Sequence, residues 1–296
     1  MRLQRLGPPG RERPFVRGDD DLCYELSSIT ADIDGDFLSG DGPAAVRAAL
    51  DAGRLPVAEP GLRTGPPIRP GKIVGIGLNY REHADETGAW RPEEPVVFLK
   101  APDAVAGPYD DLLIPPGSAA TDWEVELGVV IGRTARYLDS PARAHEHIAG
   151  YVAANDVSER EFQLERGGQW DKGKSCETFG PLGPWLLTAD EVPDPQALGL
   201  RLWVNGRLRQ DGSTQNMIFD VAYLVHYLSQ FMVLRPGDVI STGTPSGVAL
   251  GQPDPKPYLR PGDVVELEID GLGRQRMNVR AADVRAADVR ALGGPA

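Results

Sequence analysis

Asp122-Trp123-Glu124-Val125-Glu126-Leu127-Gly128, running on into Val129-Val130-Ile131, sets two carboxylates two residues apart inside an apolar run. Successive side chains of a β-strand point to opposite faces, so Glu124 and Glu126 share one face while Val125 and Leu127 share the other. Two anions side by side among so many apolar neighbours repel each other and resist desolvation unless a cation compensates them. Carboxylate oxygens suit hard divalent cations such as Mg²⁺, Mn²⁺ or Ca²⁺ better than softer metals. A solvated edge strand with both acids facing water fits the same spacing, so the surrounding sequence has to decide.

Outward from that stretch the chain reads as strand-rich. Ile73–Gly77, Val96–Leu99, Tyr151–Ala154, Leu198–Val204, Val239–Thr242 and Val264–Ile269 are short apolar runs, and Pro-Gly pairs at 70–71, 116–117, 236–237 and 261–262 punctuate the sequence as turns. Asn205-Gly206 predicts a hairpin turn, since both central positions need positive φ. Arg81–Thr87 reads as a polar helix, and Phe219–Met232 as a helix with Val221, Leu224, Val225 and Leu228 on one stripe. Residues 1–70 look like a small leading α+β module, with strands over Asp21–Leu26 and Ala31–Phe37, a helix over Ala44–Ala52 and a Pro/Gly-rich connector from Pro60 to Pro70. Residues 71–280 form the main unit. The tail, 281–296, repeats Ala-Ala-Asp-Val-Arg with a five-residue period that matches neither helix nor strand, and is expected to be a surface appendage.

Size and charge exclude several classes of function. A chain of 296 residues with 41% hydrophobic and 25% charged content is long enough for a sizeable core. A net charge of -12 argues against nucleic acid as a partner. No run approaches a membrane span, and the arginines near the N-terminus are not followed by the apolar segment of a secretory signal. Cys23 and Cys176 are too far apart for a zinc finger or a disulfide scaffold, which makes a reducing cytoplasm the expected compartment.

Other residues offer chemistry, each beside a plainer reading. His83 and Glu86 fall at i and i+3 of the predicted helix, so the carboxylate can orient the imidazole as a general base; an exposed polar pair has the same spacing. Asp156, at the end of the Tyr151–Ala154 run, suits a third oxygen ligand beside Glu124 and Glu126, or else a turn or helix cap before Arg160 and Gln163. Lys174, after a Gly-rich loop, and Lys100, closing a strand, could each hold a substrate carboxylate or oxyanion, or be solvated charges. Ser241–Gly247 ends a strand in a turn whose hydroxyls and N–H groups suit carboxylate or carbonyl binding, but no Walker loop follows. Gly75-Ile76-Gly77 lacks the third glycine of a dinucleotide fingerprint.

Taken in order, these pieces resemble the fumarylacetoacetate hydrolase family. The matching motifs run from Gly77-Leu78-Asn79-Tyr80-(x)2-His83-(x)2-Glu86 through Phe98-Leu99-Lys100 and Glu124-Val125-Glu126-Leu127-Gly128. They continue in Asn155-Asp156-Val157-(x)2-Arg160-(x)2-Gln163, in Lys174-Ser175-(x)3-Phe179-Gly180-Pro181-Leu182-Gly183-Pro184, and in Thr242-Gly243-Thr244-Pro245-Ser246-Gly247-Val248. The resemblance covers roughly residues 72–280. It implies a mixed β-roll catalytic domain behind a small N-terminal α+β domain, working as a homodimer. It implies Mg²⁺, with Mn²⁺ or Ca²⁺ possible, held by Glu124, Glu126 and Asp156, and a lid carrying His83 and Glu86. Lys174 enters as a catalytic residue, and Lys100, Arg160, Gln163 and Thr244 match positions around the substrate. One departure stands beside Lys174: where the family usually has Phe-Asp after Lys-Ser, this chain has Cys176-Glu177, a pair expected to alter the pocket. The function implied is hydrolysis of a C–C bond in an acylpyruvate-like diketo acid, through a metal-stabilised enolate and water activated by His83. Isomerisation, tautomerisation or decarboxylation of an oxo-diacid is the alternative on the same fold. A silent metal-binding relative would have no chemical need for His83 and Glu86.

Overall fold

A computed structural model describes residues 1–88 and 91–283. The chain opens with β1 (Arg2–Leu6), β2 (Arg13–Arg17), β3 (Cys23–Glu25), α1 (Gly35–Ser39) and α2 (Gly42–Asp51). Next come β4 (Ile73–Gly77), α3 (Arg81–Thr87), β5 (Val96–Lys100), β6 (Val105–Ala106), β7 (Leu112–Ile114), β8 (Thr121–Asp122), β9 (Val125–Ile131) and β10 (Ile148–Asn155). β11 (Ser158–Glu159), α4 (Arg160–Leu164), α5 (Asp171–Lys174), β12 (Gly180–Pro181) and β13 (Leu186–Thr188) lead to β14 (Gly199–Val204) and β15 (Arg207–Ser213). α6 (Val221–Ser229), β16 (Val239–Ser241), β17 (Val264–Ile269) and β18 (Gly273–Ala281) complete the described chain. It is a strand-rich α+β fold, as expected.

Nine strands form the main sheet in the order β3-β2-β1-β13-β10-β9-β16-β4-β5, and five more form a second sheet, β15-β14-β17-β18-β7. Both are mixed: β16 runs parallel to β4 and β18 parallel to β7, among antiparallel neighbours. β9 lies near the middle of the main sheet and every one of its residues is buried. Val125, Leu127, Val129 and Ile131 pack into one core with β14, β17 and α6, while Val130 packs into another beneath α1 and α2. A strand covered on both faces reads as a nearly continuous apolar run, which is why the two acids stand out in it. The edge-strand reading of Glu124 and Glu126 therefore fails.

The Asn205-Gly206 turn has φ of 52° and 73°, as its hairpin requires. α6 begins where Asp220 caps it by accepting a hydrogen bond from the Tyr223 N–H. The strand expected over Ala31–Phe37 is not formed. Asp34 accepts from the Phe37 N–H and turns the chain into α1, burying Ile33 and Phe37 together. Likewise the cap of α4 is Glu159, accepting from the Glu161 N–H, and not Asp156. All of the 281–296 tail beyond Asp283 lies outside the described residues, so the five-residue repeat has no structural outcome. Among the described residues no helix is long and apolar enough to cross a membrane.

Candidate functional site

The register between β9 and β10 brings the separate acids together. Val125 pairs with Asn155, and just beyond, the Asp156 N–H donates to the Glu124 carbonyl at 2.9 Å while Asn155 Oδ1 accepts from the Glu124 N–H at 3.1 Å. Glu124, Glu126 and Asp156 thus converge with ligand oxygens within 4.8 Å of one another, all three buried.

Each acid has a different environment. Glu124 accepts from Lys174 Nζ at 2.6 Å and from Arg160 Nη2 at 2.7 Å. Burial alone would raise its pKa, but Lys174 and Arg160 together hold it well below the usual carboxylate range. Asp156 accepts from Lys100 Nζ at 2.5 Å and Lys174 Nζ at 2.6 Å. Glu126 has no lysine or arginine within ion-pair reach among the described residues; its Oε2 accepts from the Ser241 hydroxyl at 2.6 Å and the Gly243 N–H at 2.9 Å. Burial, then repulsion from Asp156 and Glu124, pushes its pKa well above the ordinary range. Burial lowers the Lys100 pKa despite Asp156, whereas Asp156 and Glu124 outweigh burial and raise that of Lys174.

The donor set fits a hard divalent cation. Asp122, Glu124, Glu126 and Asp156 face Lys100, Lys174 and Arg160, which leaves one acid without a matching charge. Glu124, Glu126 and Asp156 are the residues able to hold such an ion, through oxygen donors suited to it.

A cavity of about 210 Å³ opens above the acids. It is lined by His83, Glu124, Glu126, Asp156, Arg160, Gln163, Lys174 and Thr244, eight of the ten residues picked out from sequence. The remaining two stand one contact behind it. Glu86 accepts from or shares a proton with His83 Nδ1 at 2.9 Å and is itself held by the Gly247 N–H at 2.9 Å. Lys100 lies behind Asp156, bonded also to the Val157 carbonyl at 3.1 Å. The 241–247 turn, expected to bind substrate oxygens, directs its Gly243 and Gly247 N–H groups to the protein's own Glu126 and Glu86. Thr244 Oγ1 donates to the Val125 carbonyl and accepts from Gln210. Cys176 and Glu177 do not line the cavity, so the family departure at these positions leaves its walls untouched.

Sequence reasoning missed Asp122, which it quoted without a role. Fully buried, Asp122 accepts from Arg160 Nε at 2.9 Å and from the Ala249 and Leu250 N–H groups at 2.8 and 3.0 Å, fixing Arg160 against the cavity rim. It also missed the apolar wall, formed chiefly by Leu78, Phe98, Trp170 and Leu250. The signal was present in Gly75 and Gly77. A Cβ on Gly75 would lie 2.1 Å from the Phe98 ring, and one on Gly77 would lie 2.4 Å from the Trp170 indole. Both rings need a strand surface without side chains beneath them.

Comparison with known proteins accords with this geometry. The family described as fumarylacetoacetate (FAA) hydrolase, C-terminal, matches residues 72–280. A Burkholderia multivorans protein bearing only the general name of a hydrolase is 53% identical over 283 residues, which span 95% of this chain and 100% of the relative. Among solved structures, the fumarylacetoacetate hydrolase of psychrophilic Exiguobacterium antarcticum superposes with a TM-score of 0.80 at 34% identity, covering 95% of this chain and 100% of that one. The 5-carboxymethyl-2-hydroxymuconate delta-isomerase of Mycobacterium smegmatis gives 0.74 at 33% identity, over 96% and 100%. Maleylpyruvate hydrolase of Sphingobium sp. SYK-6, solved with manganese(II) and pyruvate, gives 0.78 at 28% identity, over 96% and 100%. With its motifs in order, its fold shared and its acids converging in one cavity, the chain belongs to the fumarylacetoacetate hydrolase family.

Proposed function

We propose that this protein is a divalent-metal-dependent hydrolase that cleaves a C–C bond in an acylpyruvate-like diketo acid. The observation that carries the reading is buried His83, backed by half-buried Glu86, in the same cavity as Glu124, Glu126 and Asp156. A divalent cation held by the three acids, Mg²⁺ or the manganese found in the Sphingobium relative, would polarise the oxo-acid oxygens of the substrate as a Lewis acid. His83, oriented by Glu86, would take a proton from a water molecule as that water adds to the distal carbonyl. Gln163 Nε2, which makes no hydrogen bond among the described residues although Gln163 is 3% exposed, is available to donate to the resulting oxyanion alongside Lys174. Arg160, bonded to Asp122, Glu124 and Gln163, would fix the positions of both Glu124 and Gln163. Breaking the C–C bond then returns the proton to the departing carbon and yields two acids. The protein is proposed to work in the cytoplasm as a homodimer, and its mass in solution by light scattering checks the second point.

The alternative reading, isomerisation or decarboxylation of an oxo-diacid, draws support from the Mycobacterium smegmatis isomerase, whose 33% identity to this chain lies between the 34% and 28% of the two hydrolases. Product analysis by mass spectrometry separates the readings. Cleavage adds the elements of water and gives two acids, decarboxylation releases CO₂, and isomerisation leaves the mass unchanged. Replacing His83 by Ala should lower kcat by roughly 10² or more, the range of general-base contributions, with the fold intact by circular dichroism. Unchanged turnover in that variant would remove His83 from the chemistry.

A further inference from the structure

The cavity has an apolar side as well as an acidic one. Besides the charged and polar groups its walls are Ile76, Leu78, Phe98, Leu164, Trp170 and Leu250. Every cationic side chain that lines the cavity among the described residues is already engaged at the acidic end. Arg160 is bonded to Asp122 and Glu124, Lys174 bridges Glu124 and Asp156, and His83 is paired with Glu86. A second carboxylate packed on this wall would meet no unengaged cation among the described residues, only the neutral amide of Gln163, so its desolvation would be poorly compensated and costly.

The wall is also built, not left over. Phe98 and Trp170 lie on the bare backbone of Gly75 and Gly77, with ring centroids 5.7 Å apart. Phe98 further receives the Lys174 ammonium 4.8 Å from its centroid, tying the aromatic wall to the acid cluster. Leu78 has a φ of 54°, a left-handed conformation that is strained for a residue bearing a side chain. Asn79 holds that turn by donating to the Thr242 carbonyl at 2.7 Å and accepting from the Phe219 N–H at 2.8 Å. Strain held in place at a cavity wall marks Leu78 as a residue whose side chain is wanted there.

The geometry points to a substrate with a single carboxylate at the acid cluster and a neutral apolar tail, branched alkyl or aryl, packed on Leu78, Phe98, Trp170 and Leu250. This inference rests on the proposed oxo-acid reading and narrows it: terminal dicarboxylates are disfavoured, and Leu78 and the exposed Leu164 help set the tail's shape.

The test uses binding as well as turnover. Metal-loaded protein is titrated by calorimetry with two 2-oxo acids that lack a cleavable bond and differ at the tail, 4-methyl-2-oxopentanoate and 2-oxoglutarate. The branched acid should bind at least about tenfold more tightly, the unpaired carboxylate being the penalty. Leu164, 44% exposed at the rim, accepts a change without disturbing the core; Leu164→Arg should narrow or invert the ratio, and Leu164→Met should preserve it. Equal or tighter binding of 2-oxoglutarate to the unaltered protein, or no binding of either acid, overturns the inference. Turnover of acylpyruvates with neutral and carboxylate-ended acyl groups then separates the two claims. Apolar preference in binding with no cleavage of any acylpyruvate sinks the hydrolase reading alone, and efficient cleavage that favours carboxylate-ended substrates sinks the tail assignment alone.

Discussion

Glu126 is pushed toward its protonated form, because burial and the charges of Asp156 and Glu124 raise its pKa, with Lys174 opposing them only at a distance and no lysine or arginine forming an ion pair with it among the described residues. The sign of the linkage follows. With a folded pKa above its unfolded one, Glu126 favours folding at low pH, and that contribution is lost as pH rises through the raised value. A divalent ion would take the place of the proton, so its binding should release one and tighten with pH. The rise in Tm on adding Mg²⁺ or Mn²⁺ is therefore expected to grow between the ordinary carboxylate range and the raised Glu126 value. An increment that stays flat across that window would show that metal does not compete with this proton. Lys174 makes the converse case. It is the ammonium shared by Glu124 and Asp156, so Lys174→Met removes one buried positive charge and leaves Glu124 with Arg160 alone and Asp156 with Lys100 alone, a loss of about 3 kcal/mol. Denaturant titration should register that loss in metal-free protein, and added divalent ion should recover more stability in the variant than in the parent. Equal recovery in both would mean that the metal and Lys174 do not serve the same acids.

At the scale of elements, β4 shows how a strand serves a cavity by what it lacks. Gly77→Ala would put a methyl 2.4 Å from the Trp170 indole, and since the glycine sits under a large ring, the ring must move. Overpacking of this kind costs about 1–3 kcal/mol; the expected result is a lower Tm and a shifted tryptophan emission. An unshifted spectrum with unchanged stability would mean the indole is not held on the strand. The glycines were legible as strand residues, as a failed dinucleotide fingerprint and, for Gly77, as the start of a family motif, but not as seats for rings, because that use depends on rings supplied by β5 and by the segment before α5. β9 and the Asn205-Gly206 hairpin were readable because their signals are local: an apolar run broken by two acids, and a turn needing positive φ. β1 and β2 were not, since Arg5 is buried by pairing with Asp32 at 2.6 Å and Glu12 at 3.4 Å, contacts that hydropathy cannot foresee. The acids of the site were found through spacing and family motif. Asp122 and the supporting position of Lys100 depend on which partner each side chain meets, which no local pattern encodes.

Over the whole molecule, the main sheet separates two cores, and the site sits where strands shared by both come to an end. The larger core joins β9 and β10 to β14, β17 and α6. The smaller is closed by the first 70 residues, whose Leu3, Val16, Ile33, Phe37, Val46 and Ile68 cover Val130, Val152, Ala154 and Val239. These early residues also extend the sheet: β1 pairs with β13, which pairs with β10, the strand that delivers Asp156. Arg63, bonded to Asp110 and to Glu12, adds a charged tie between the connector and the main unit. A leading module attached in this way is expected to melt together with the rest. Calorimetry of the full chain should give one transition with matching calorimetric and van't Hoff enthalpies. A chain beginning at residue 71 would expose the apolar back of β9, β10 and β16 and leave β13 without its β1 partner, so it should be recovered as aggregate or as a form with weakened metal binding. Two resolved transitions, or a soluble truncated protein that binds Mn²⁺ as tightly as the full chain, would show instead that the leading residues are a separable appendage and that the acid cluster is held by the larger core alone.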